Sequence, residues 1–163
     1  MGRVAAFLIG LGVVGGGIFA AFYMNRGQHL ELKGSILKVR AVADGDGTIV
    51  FADFRVTNTA AIPFVVNGIQ MSMETADGEV ANAVVFSKSE VEQATKYLKL
   101  LGPKYNDVLS IKDKLPAVET SDRMVAGRFA FPPKFFQQRK TLRLRVDELD
   151  GIVAEITEST PGK

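Results

Sequence analysis

Few residues in this chain are equipped for chemistry, and each sits in a context that favours a simpler role. There is one histidine, His29, and no cysteine. A single imidazole cannot assemble a histidine-based metal cluster, and no G-x-S-x-G turn or other nucleophile context accompanies it. The absence of cysteine removes disulfides, thiolate metal sites and cysteine nucleophiles. The stretch Asp44-Gly45-Asp46-Gly47 places two carboxylates close together, as hard cations such as calcium require. An EF-hand-like loop opening at Asp44 would need a glutamate eleven residues on, and Arg55 stands there. An Asp-Gly pair between β-rich runs is a hairpin signal, and that reading is preferred. In "DELD", Asp147 and Asp150 are close enough in sequence for acid–base work. Asp147, however, falls on the polar face of an alternating strand, and Asp150 falls in a turn. No catalytic residue, metal site or cofactor is therefore expected.

The elements around these residues read mainly as strands. "HLELKGSILKVRAV" places Leu30 and Leu32 on one face and shifts phase near Gly34–Ser35, where a bulge is expected. In "TIVFADFRVTN", Val50, Ala52, Phe54 and Val56 share a face opposite Asp53, Arg55 and Thr57. Ile69, Met71 and Met73 alternate in the next run, and "ADGE" at Ala76–Glu79 marks a second hairpin turn. The period then changes. Ser87 and Glu90 have capping-box spacing, and Val91, Ala94, Leu98 and Leu101 form one apolar helical face. Gly102-Pro103 supplies the stop, so a helix is expected over about 87–101. "DVLSIKDKL" is ambiguous, "RMVAGRFAF" reads as a strand and "PPKFFQQRK" as a connection. "TLRLRVDEL" turns Leu142, Leu144 and Val146 inward, and Asp150-Gly151 leads into a last strand, "IVAEIT". Seven or so short strands at this spacing predict an antiparallel β-sandwich with one inserted helix.

Ahead of it lies a different kind of segment. Between Arg3 and Arg26 no residue carries a charge. The run Val4–Met24 would span roughly 30 Å as a helix, the hydrocarbon thickness of a bilayer. Phe22 and Tyr23 stand at its end, where aromatic side chains favour headgroups. Retention as an uncleaved signal anchor is expected rather than cleavage, because the apolar run exceeds the usual signal core. The chain then divides into a transmembrane helix at 1–27, a sandwich at 28–157 and a tail at 158–163. Lys and Arg counts favour a cytoplasmic domain. The near absence of chain before the span favours an extracytoplasmic, periplasmic domain on a bacterial-type inner membrane, and the second reading is preferred. Within the span, Gly12, Gly16 and Ala20 form an i, i+4 row of small residues, which permits close backbone approach by another helix. The partner is either a transmembrane helix of a larger complex or a second copy of this chain.

"FADFRVTNTAAIPFVVNGIQMSMETADGEV" runs strand, Asn-containing turn, Pro-led strand and Gly hairpin. This resembles the opening strand pairs of immunoglobulin-like modules carried behind single anchors, of the WHy/LEA-14-like and DUF4352-type groups. "RMVAGRFAFP" with "TLRLRV" is similar to the closing strand pair of the second group. The resemblance implies fold and placement, and no catalytic residues.

Two surfaces stand out. Arg139, Lys140, Arg143 and Arg145 form a basic cluster at the start of a strand, read either as edge protection or as a contact for acidic headgroups or an acidic protein. Tyr97, Leu100 and Tyr105 flank the helix end, with Leu100 off the apolar stripe, so they serve either as core cover or as a docking patch. The charge balance, 20 basic against 18 acidic residues, gives no support for nucleic-acid binding. The function expected is a non-enzymatic accessory subunit of a membrane complex. The alternative is an anchored module binding a lipid, glycan or soluble ligand.

Overall fold

The computed structural model describes residues 12, 14–17, 19–20 and 32–158. The described residues before Leu32 are helical, and His29 and most of the apolar run lie outside the description. Among the described residues no helix is long and apolar enough to cross a membrane.

From Leu32 onward the chain builds two sheets. In order the elements are β1 (Leu32–Asp44), β2 (Gly47–Asn58), β3 (Phe64–Glu74), β4 (Val80–Asn82), β5 (Val84–Val85), α1 (Lys88–Tyr97) and a 3-10 turn (Lys99–Leu101). Then come β6 (Asp107–Val108), β7 (Lys114–Leu115), β8 (Glu119–Phe129), α2 (Pro133–Gln137), β9 (Thr141–Glu148) and β10 (Val153–Thr157). One sheet runs β1-β2-β8-β5, with β6 also alongside β8; the other runs β10-β9-β3-β4, with β7 also alongside β3. Every pairing is antiparallel except β6 with β8. The architecture is a β-sandwich.

The expected hairpins form where Gly provides the necessary backbone. Asp44 pairs with Gly47 across a two-residue turn in which Gly45 has a φ of 59°, as a II′ turn requires at its first central position. Gly78, at φ 86°, closes the β3–β4 turn. The bulge expected at Gly34–Ser35 falls instead between Ile36 and Lys38. Gly34 stays in the ladder opposite Val56, and β10 crosses close to it. A Cβ there would lie 2.7 Å from the Arg55 carbonyl oxygen and 3.0 Å from the Ile156 side chain.

Alternation fills the space between the sheets as expected. Val50, Ala52, Phe54 and Val56 of β2 meet Met71 and Met73 of β3 and Leu142, Leu144 and Val146 of β9 in one buried cluster. The other face of β2 departs from expectation. Ile49 and Phe51 are buried there with Met124 and Ala126 of β8, beneath Val91, Leu101 and Val108. The α1 arm therefore forms a third layer over the outer face of the first sheet.

Ser87 caps α1 with both halves of the capping box in place. The helix is shorter than expected. Leu98 leaves helical geometry at φ −102° and ψ 73°, and a 3-10 turn carries the chain to buried Leu101. The "PPKFFQQRK" connection contains α2, opened by Pro133 and anchored by buried Phe136, whose ring packs 5.7 Å from that of Phe129.

At the end of the sandwich where β1 begins, buried Asn58 ties two cross-sheet loops together. Its Nδ2 donates to the carbonyls of Ile62, Leu115 and Pro116, and its Oδ1 accepts from the Ala60 N–H. Val118, a β-branched residue at φ 53°, is held there by its own N–H donating to the Ala60 carbonyl. Asn58→Ala should lower unfolding stability by about 2–3 kcal/mol in urea titrations, because it strands buried carbonyls as well as removing an amide.

Candidate functional site

The α1 arm is fixed by one charged side chain. Arg40 projects from β1 under the loop that follows the 3-10 turn. Its Nη1 donates to the Leu101 carbonyl at 2.6 Å and the Pro103 carbonyl at 2.9 Å. Its Nη2 donates to Asp53 Oδ2 at 2.8 Å, and Asn106 Nδ2 donates to the other oxygen, Asp53 Oδ1, at 2.9 Å. The guanidinium lies between two rings, 5.4 Å from the centroid of Phe51 and 4.8 Å from that of Tyr105. Lys38 Nζ also lies over Tyr105. Both ends of the ion pair are buried, the Arg40 and Asp53 side chains retaining 11% and 4% exposure. Asp53, read from alternation as solvent-facing, is a buried anchor because the arm covers it.

On this fixed arm Tyr97, Leu100 and Tyr105 point largely to solvent, at 82%, 91% and 57% exposure. Of the two readings open for them, core cover fails for Tyr97 and Leu100, while Tyr105 covers Arg40. The apolar stripe is as expected. Val91 and Leu101 are buried, and Ala94 and Leu98 pack partly buried against them.

Beside the start of α1 an open groove of about 750 Å³ runs between the arm and the sandwich flank. Ile69, Val85, Phe86, Leu109 and Ile111 give it apolar walls, and the first turn of α1 gives it a polar lip. Ser110 lines it too, and its Oγ is buried with no hydrogen-bond partner among the described residues. The lip is not an open anion site. Glu90 bonds back to Ser87, which holds its carboxyl below the usual carboxylate range.

The basic cluster lies on the other sheet, away from the arm, and its charges are matched. Arg139 forms a two-point pair with Glu158, its Nε 2.8 Å from Oε2. Lys140 and Arg143 share Glu74, each at 2.7 Å, and Arg145 pairs with Asp147 at 2.8 Å. The edge-protection reading does not hold for Arg143 and Arg145, because β9 lies inside its sheet with β10 beyond it. Thus the sequence-derived docking residues form two separate surfaces, one apolar on the arm and one charge-paired on the opposite sheet. Glu158, the first residue assigned to the tail, is tied to Arg139 and donates its N–H to the Leu142 carbonyl.

Of the carboxylates considered for metal or acid–base work, Asp44, Asp46 and Asp147 are held in ion pairs with arginine. Arg128 spans Asp44 at 2.8 Å and Asp46 at 2.7 Å, bracing the hairpin turn, and both raise its pKa. Glu148, buried at the end of β9, accepts the Asp150 N–H within the β9–β10 turn. The helical glycines Gly12 and Gly16 meet nothing described within 4 Å of where a Cβ would stand, and Ala20 is helical beside them. Sequence reasoning missed Arg40, Asp53 and Asn106. The available signal was an Asp at an alternation-defined polar position inside an otherwise apolar run.

No family model and no curated protein matches the chain. Among solved structures it is similar to the putative ApaA protein of Bordetella pertussis, at 14% identity and a TM-score of 0.39, with 81% of this chain and 91% of that one covered. It is also similar to an uncharacterized β-sandwich protein of Clostridium difficile 630, at 14% identity and a TM-score of 0.35, with 80% and 82% covered.

Breaking the buried pair with Asp53→Ala should cost about 3–5 kcal/mol, because Arg40 is left charged and partly unpartnered. Limited proteolysis should then cut first between residues 99 and 106. On the other sheet, Lys140 first and Arg143 next hold the Glu74 carboxyl below the ordinary carboxylate range. The stability Glu74 contributes is present above the ordinary carboxylate pKa and is lost as pH falls through its lowered folded value. Thermal melts from neutral pH into acid should show that loss in the native protein, and Glu74→Gln should remove this component.

Proposed function

We propose that this chain is a non-enzymatic, single-pass accessory subunit of a larger membrane assembly of the respiratory, photosynthetic or secretion kind. In this reading the sandwich is periplasmic, on a bacterial-type inner membrane. The sandwich itself is of the immunoglobulin-like, DUF4352-type or WHy/LEA-14-like kind carried behind one anchor. The Gly12–Gly16–Ala20 row packs on a neighbouring helix, and the arm docks on a protein partner. The observation that carries the docking reading is the presentation of Tyr97 and Leu100. Both are exposed on an arm whose base is locked by the Arg40–Asp53 pair. Large apolar side chains on a preordered support lose little entropy on binding, which favours interface hot spots. The matched charges of the second surface make Arg139, Lys140, Arg143 and Arg145 a weaker candidate for partner contact.

A second reading is favoured by the groove beside α1. Its volume and apolar walls suit an acyl chain or a small apolar ligand. In that case the protein is an anchored binding module.

Co-purification from mild detergent followed by native electrophoresis separates the readings. An accessory subunit should migrate in a large complex, and Leu100→Asp should reduce its retention there by about tenfold or more. Gly12→Leu with Gly16→Leu should do likewise. Migration as a monomer or as a dimer of this chain alone, unchanged by these substitutions, would overturn the first reading. A small ligand retained by that monomer in native mass spectrometry would support the second.

A further inference from the structure

We infer that the β1-start end of the sandwich rests on the lipid bilayer and dips the side chains of Val118 and Leu149 into it. This rests on the membrane-anchored reading above. It adds a second membrane contact, made by the folded domain.

Strand pairing defines that end. Leu32 opens β1 opposite Asn58 at the close of β2, and Asn58 lies opposite Glu119 at the start of β8. On the other sheet Val66, near the start of β3, lies opposite Glu148 at the close of β9. The β2–β3 loop, the β7–β8 loop and the β9–β10 turn therefore share one end. Two large apolar side chains stand out from it, Val118 at 74% and Leu149 at 63% exposure.

Neither is displayed by a slack loop. Val118 is held at φ 53° within the Asn58 clamp, and the Leu149 N–H donates to the Val65 carbonyl beside the turn that Glu148 closes. A β-branched residue in left-handed backbone is a strained arrangement, and here it projects an apolar group outward. The opposite end carries Asp44, Asp46, Asp77 and Glu79 in its hairpin turns, beside the exposed Phe135 of α2, so exposed apolar groups alone do not select an end.

Chain length selects which end meets the membrane. Only the seven residues 25–31 separate Met24, the end of the apolar run, from β1. Fully extended they reach about 25 Å at most. Strands as long as β1 and β2 run about 40 Å, so the β1-start end is the one kept at the bilayer. Near this end Lys33, Lys112 and Lys114 are balanced by Asp113, Glu119 and Asp150, so the contact requires no anionic lipid.

Because the chain has no cysteine, single engineered cysteines report single sites. Full-length protein carrying Leu149→Cys, or Asp46→Cys at the far turn, is labelled with an environment-sensitive fluorophore and reconstituted in phosphatidylcholine vesicles. The label at position 149 should shift to the blue and be quenched by brominated lipid, while the label at 46 should remain in water. A label at Ala61→Cys on the same end should also be quenched, and Val118→Asp with Leu149→Asp should abolish its quenching. Unquenched labels at 149 and 61 in protein that resists alkaline carbonate extraction would overturn this inference and leave the anchor standing. Release by carbonate would overturn the anchored reading and this inference with it.

Discussion

The outer layer of this protein depends on a buried ion pair, Arg40 with Asp53. The α1 arm attaches to the sandwich through a small apolar cluster, and the chain between Leu101 and β6 makes no strand or helix that would satisfy its own carbonyls. Arg40 supplies that satisfaction by donating to two of them while pairing with Asp53. Burying two charges carries a desolvation cost that Coulomb attraction alone seldom exceeds. Here the balance is improved on both sides. Each Asp53 oxygen has a donor, and two aromatic faces flank a guanidinium that is weakly hydrated to begin with. Arg40 Nε, buried with no partner among the described residues, is the part of the arrangement left uncompensated.

That pair also determines what the surface offers. The first turn of α1 forms one lip of the groove, and its far end carries Tyr97 and Leu100. The exposed Tyr97 and Leu100 and the groove are thus two ends of a single arm. A disturbance at Asp53 would reach both. Substitutions at Leu100, which is almost wholly exposed, would reach only one.

Much of the sandwich was legible in the sequence because period-2 alternation is a direct consequence of strand geometry. β9 and the inward face of β2 follow it residue by residue. The outward face of β2 shows its limit. Whether Asp53 meets water or a covering arm is decided by a segment some fifty residues away, and no local pattern carries that information. The basic cluster shows the same limit. Four cations near one another in sequence read as edge protection or as a contact for acidic groups, and no local pattern shows that Glu74 of β3 and Glu158, just past β10, pair with three of them while Asp147 pairs with Arg145. Gly34 misled for a different reason. Its missing side chain accommodates a close crossing by β10, whereas the same sequence feature also marks bulges. The five-residue α2 is too short to display a helical period at all.

The position of the arm along the sandwich constrains any partner. Asp53 lies five residues up β2 from Asn58, which at about 3.3 Å per residue places the Arg40 lock roughly 17 Å above the β1-start end. With that end on the bilayer, Tyr97 and Leu100 project sideways from the flank of the sandwich at about the height of the lock, clear of the headgroups. On the proposed reading, a helix confined to the membrane would meet the Gly12–Gly16–Ala20 row and not these two side chains. Engagement of both features by one partner therefore requires a protein with a span beside this one and a folded domain rising next to the sandwich. A partner lacking either part would use one contact and leave the other solvent- or lipid-exposed.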